Sequence, residues 1–153
     1  MTEALESNIE QQPPKAKVPV VAWIIFVVSV LGVLGLIPFL AVILGYLPVE
    51  DPQMKEYYAS LGIVDHLKVI INPVMAFIAS FMLIRTKLIA VKLFWAYAFV
   101  YVVSQVYNLM KSGTHVMSLS DTGGIAAHVL GLLWVAFLVY YSNKMAKQGL
   151  LEA

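Results

Sequence analysis

Four long apolar stretches, parted by short polar ones, set the pattern of this chain. Residues 18–47, about 67–84, 88–110 and 124–143 each read as a membrane-spanning helix. A hydrocarbon layer about 30 Å thick takes roughly 20 apolar residues at 1.5 Å each. Within 88–110, Phe94, Tyr97, Tyr101, Ser104, Gln105 and Asn108 recur at steps of three and four and so share one helix face. The opposite side (Leu93, Ala96, Phe99, Val100, Val103, Val106) is almost pure hydrocarbon. Helices in lipid turn Gln and Asn toward a protein interior. The pattern therefore predicts an all-α fold, an antiparallel four-helix membrane bundle.

The connections carry their own signals. Residues 1–17 are polar, with Gln11-Gln12-Pro13-Pro14, and read as a disordered tail. The first stretch would be about 45 Å long as one helix, so tilt or an early exit must absorb the excess. Pro38 predicts a kink there, Trp23 and Tyr46 suit the two interfaces, and Ser29, Gly32 and Gly35 form a strip of small residues. In the loop 48–68, Asp51-Pro52 opens and Gly62 closes a short surface helix with Met54, Tyr57, Tyr58 and Leu61 on one side, and Asp65 is placed to cap the second span. Asn72-Pro73 lies early in that span, where proline frees a carbonyl one turn back. Arg85-Thr86-Lys87 is a basic turn. A polar loop, 111–123, leads into the fourth span, on which Gly124, His128, Gly131 and Val135 share a face, and residues 144–153 read as a second tail.

Composition agrees with a lipid solvent. Of 153 residues, 61% are hydrophobic and 12% charged, half the roughly 25% of a soluble domain. Mean hydropathy is +0.84. The absence of cysteine excludes thiol–disulfide chemistry, iron–sulfur clusters, Cys-ligated zinc and palmitoylation. A net charge of +1 gives no reason to expect nucleic acid. Glu3, Glu6 and Glu10 before a long apolar run argue against a cleavable signal peptide. Lys15, Lys17, Arg85, Lys87, Lys92, Lys144 and Lys147 fall on one side of a four-span topology, against Lys55, Lys68 and Lys111 on the other. The positive-inside rule then puts both termini in the cytoplasm, most naturally at a bacterial inner membrane.

That topology brings Asn72, Gln105, Asn108 and His128 to one depth in the outer half, with Tyr101 deeper. These five are the candidate ligand-binding residues. Their leading role is interhelical hydrogen bonding, worth roughly 0.6–2 kcal/mol each. The alternative is a polar pocket for a quinone, a lipid head group or another small amphiphile. His66, His115 and His128 all map to the outer side, yet without tight ligand spacing, so no haem, metal or other cofactor is expected. No acid falls within a predicted span, and no Gly-x-Ser-x-Gly, His-Glu-x-x-His, intramembrane Asp pair or phosphate-cradling loop occurs, so no catalytic residue is assigned. The expectation is a non-enzymatic accessory or scaffold subunit that meets a membrane-protein partner or its own copies through the glycine strips of spans one and four. The alternative is a binder or carrier of a small hydrophobic ligand.

Overall fold

The computed structural model describes residues 18–112 and 122–152. The expected tail 1–17 and most of the loop 111–123, His115 included, lie outside them. Six helices follow in order: α1 (Val20–Leu34), α2 (Leu36–Ile43), α3 (Pro52–Ser60), α4 (Ile63–Ile84), α5 (Ile89–Ser112) and α6 (Thr122–Lys147). Among the described residues there is no strand. Four segments are long and apolar enough to cross a membrane: Val20–Ile43 (α1 with α2), Ile63–Ile84, Ile89–Met110 and His128–Lys147. They mark a membrane protein.

The helix ends follow local chemistry. The first span stops at Ile43, short of 47, in a Schellman turn: Gly45 takes φ +78°, its N–H bonds Val42 O (3.0 Å), and Tyr46 N–H bonds Ala41 O (2.8 Å). The interruption falls at Gly35 rather than at Pro38. Proline disturbs the carbonyl a turn before it, so the break is displaced toward the N-terminus. Helix α4 starts a turn earlier than expected, because Gly62 caps it instead of closing α3. Gly62 is extended (φ −85°, ψ 174°), and its N–H bonds Asp65 Oδ2 at 2.9 Å. Asp65 therefore sits in the first turn of a candidate span and is buried. This corrects the expectation of acid-free spans, and the helix N-terminus favours a negative charge at that place.

Packing runs in sequence order. Among the described residues α1 lies on α4, α4 on α5, and α5 on α6, with no comparable contact between α6 and α1. The apolar core occupies the half near residue 86: Ala22 and Ile25, Ala76, Ala79 and Leu83, Ala90 and Phe94, then Val135, Leu138 and Met145. Alanines at the α4–α5 seam let the backbones approach, the small-residue packing expected in lipid. Phe26 fills the α1–α4 seam against Phe77 and Phe81, at ring distances of 5.8 and 6.3 Å.

The turn after α4 is a Schellman turn with Thr86 in the left-handed position (φ 55°). Of the expected tail 144–153, the first four residues continue α6, and those after Lys147 fold back onto this turn. Leu88 N–H bonds Glu152 O (2.7 Å), Glu152 N–H bonds Thr86 O (2.6 Å), and Leu151 is buried in the core.

Candidate functional site

At the end of the molecule away from Thr86, the α4–α5 seam opens into a cleft of about 510 Å³. Helix α4 supplies Asp65, Lys68, Val69 and Asn72; α5 supplies Ser104, Gln105 and Asn108. Tyr57 and Ser60 of α3, with Leu61 after it, form the remaining wall. Steps of three and four give the α4 residues a common face, as the α5 steps do for theirs. Two side-chain bonds tie the helices together. Lys68 Nζ donates to Asn108 Oδ1, and Asn72 Nδ2 lies 3.5 Å from Ser104 Oγ.

Charge in the cleft is paired. Lys68 Nζ sits 2.8 Å from Asp65 Oδ1 and 4.3 Å from the centre of the Tyr107 ring. The Lys68 ammonium is thus flanked by a carboxylate, an amide oxygen and an aromatic face. Asn72 is less well served. Its Oδ1 is the one buried side-chain nitrogen or oxygen among the described residues that has no hydrogen-bond partner.

Of the five residues singled out in the sequence, the structure brings Asn72, Gln105 and Asn108 together in this cleft. Tyr101 goes elsewhere. It lies one turn deeper on α5 and turns to α6, where a Cβ on Gly131 would stand 2.0 Å from its hydroxyl oxygen. His128 is exposed on α6 and does not line the cleft. Helix α6 packs chiefly on α5, with no comparable contact to α4, so His128 is not carried to the α4 side. His66 lies on the far side of the first α4 turn, with Nδ1 2.7 Å from Gly62 O and its ring 6.0 Å from that of Phe39. Two glycines of the strips pack within the chain, Gly131 against Tyr101 and Gly32 against Pro73, whose Cβ a side chain there would meet at 3.7 Å.

Sequence reasoning missed Asp65, Lys68 and Ser104 as members of the site. Placing 65–68 partly in a loop hid the spacing Asp65, Lys68, Asn72, which puts all three on one face once the helix begins at Ile63. A second, mainly apolar groove of about 860 Å³ runs along the other seam, lined by Trp95, Ala98 and Val102 of α5 and by Leu132, Leu133 and Ala136 of α6, with Asn143 at one end. Compared with protein-family models, with curated proteins and with solved structures, the chain has no significant match.

Proposed function

We propose that this protein is a non-enzymatic integral membrane protein that holds a small amphiphile by its polar end in the α3–α4–α5 cleft. Its four helices would cross the membrane in alternating directions, with the basic Arg85–Lys87 turn and both termini in the cytoplasm. The cleft would then open outward beneath α3, lying at the membrane surface. The basic residues support this orientation, and a bacterial inner membrane suits it.

One observation carries the binding reading. Asn72, Gln105 and Asn108 border an open space instead of closing on one another. Side chains that served only as interhelical links would be satisfied across the seam, whereas Asn72 keeps a buried oxygen without a partner among the described residues. The cleft volume of about 510 Å³ falls within the range of small-molecule sites. The test is extraction of the full chain, purified from native membranes into phosphatidylcholine nanodiscs, followed by mass spectrometry. The reading expects one retained species near one per chain, reduced several-fold in Gln105→Leu. Identical profiles from the two proteins reject it.

A second reading, an accessory subunit or homo-oligomer, draws on the mainly apolar α5–α6 groove of about 860 Å³. Native mass spectrometry that finds only single chains with lipid dismisses it.

A further inference from the structure

We propose that the α5–α6 groove seats an acyl chain of an anionic phospholipid, whose phosphate meets Lys147 and Lys92 at the groove's basic end. This site is separate from the cleft and does not depend on it. On α6 the lining runs from Val129 to Asn143. At 1.5 Å per residue that is about 21 Å, more than the roughly 15 Å depth of one leaflet. The groove is thus long enough to hold a chain through its leaflet. Trp95, Leu132, Leu133 and Tyr140 make its walls large and uneven. Transmembrane helices close on small residues, so such walls suit a flexible chain better than a second helix.

The polar groups gather at one end. Asn143 is half-buried there; its Nδ2 gives one hydrogen to Val139 O at 2.7 Å and has a second to offer. Lys147 follows four residues later, exposed and on the same helix face. An amide with an ammonium one turn further out matches the order of ester carbonyl and phosphate in a phospholipid. Lys92 is exposed in the first turn of α5, three residues before the lining Trp95. The bond from Leu88 N–H to Glu152 O ties the segment after α6 to the start of α5, so both lysines lie at the same end of the molecule.

Charge at that end is one-sided. Among the described residues it holds Arg85, Lys87, Lys92, Lys144 and Lys147 against Glu152, whose backbone is bridged to Lys87. Such a surface attracts an anionic head. A zwitterionic head would bring a cation of its own against the same lysines. Arg85 stands apart from the groove, over the Phe81 ring at the α1–α4 seam, and so separates a site from general attraction.

The experiment uses the full chain with Trp23→Phe and Trp134→Phe, which leaves Trp95 as its one tryptophan. In phosphatidylcholine nanodiscs its fluorescence is followed as phosphatidylglycerol with brominated chains is added, bromine being a short-range quencher. The expected result is saturable quenching, reversed by unbrominated phosphatidylglycerol, at a lipid fraction about tenfold below that needed with brominated phosphatidylcholine. Lys92→Gln with Lys147→Gln should abolish that preference. Arg85→Gln with Lys87→Gln, which removes the same charge away from the groove, should keep most of it. Native mass spectrometry of the unaltered chain makes the same comparison where the tryptophan replacements disturb the fold: one phosphatidylglycerol is retained, and remains in Gln105→Leu. Equal quenching by the two lipids overturns the proposal, as does equal loss in the two charge variants. A retained lipid that is lost in Gln105→Leu overturns it too, by placing that lipid in the cleft. So does a dimer whose Trp95 no brominated lipid quenches, the outcome that a second copy in the groove predicts.

Discussion

Gly131→Ala is the change whose sign tests the packing most directly. Replacing a helical glycine by alanine in open space stabilises by about 1 kcal/mol. Here the added Cβ would stand 2.0 Å from the Tyr101 hydroxyl oxygen and 3.1 Å from the ring carbon that bears it. Ordinary contact between such atoms begins near 3.4 Å, so the ring must leave its rotamer or the α5–α6 seam must widen. Overpacking of that kind costs typically about 1–3 kcal/mol. The net expectation is a loss of up to about 2 kcal/mol in the Tyr101 background. With Phe at position 101 the nearest atom is the ring carbon, a few tenths of an ångström too close, and the same substitution should be neutral or gain up to about 1 kcal/mol. The cycle then yields a coupling of about 2 kcal/mol between the two positions. Reversible unfolding of the four proteins in mixed micelles, followed by far-ultraviolet circular dichroism, measures it. If Gly131→Ala stabilises the Tyr101 chain, or acts alike in both backgrounds, α5 and α6 do not meet as described.

Two further outcomes follow from the basic turn and the segment folded onto it. Thr86 holds φ 55°, a left-handed conformation that costs a β-branched residue about 1–2 kcal/mol; Thr86→Gly should raise the unfolding free energy by about 0.5–1 kcal/mol, part of the relief being offset by glycine's freer unfolded chain, and a lowered midpoint would refute this. Leu151→Asp removes a core side chain worth roughly 1.5–3 kcal/mol and should release Glu152 from Thr86 and Leu88. Amide exchange at Leu88 should then speed up while exchange at mid-helix positions such as Ala79 stays slow; unchanged protection at Leu88 would mean the docking contributes nothing.

The four spans and the polar face of α5 were legible in the chain itself, for a local reason. A backbone in hydrocarbon must satisfy its own hydrogen bonds, so an apolar run of about 20 residues forms a helix whatever its neighbours are. Burial then follows the polar stripe: Phe94, Tyr97 and Ser104 are buried, while Phe99, Val103 and Val106 are exposed. Helix boundaries were less legible, since Gly62 serves equally as a stop or a start until Asp65 is seen to accept its N–H.

What only the tertiary structure decided is which helix each polar residue meets. Depth along a span can be counted from residue numbers, and on that count Asn72, Gln105, Asn108 and His128 are equivalent. Azimuth cannot be counted in the same way, because it depends on which helices lie side by side. The sequential packing of α4 on α5 and α5 on α6 unites Asn72 with Gln105 and Asn108 and leaves His128 outside. The turn of the Asn72 amide belongs to the same class, being set by a serine 32 residues away. Partners so distant in the chain are chosen by the shapes and small residues of whole helix faces, a property of the assembled helices and not of any one stretch.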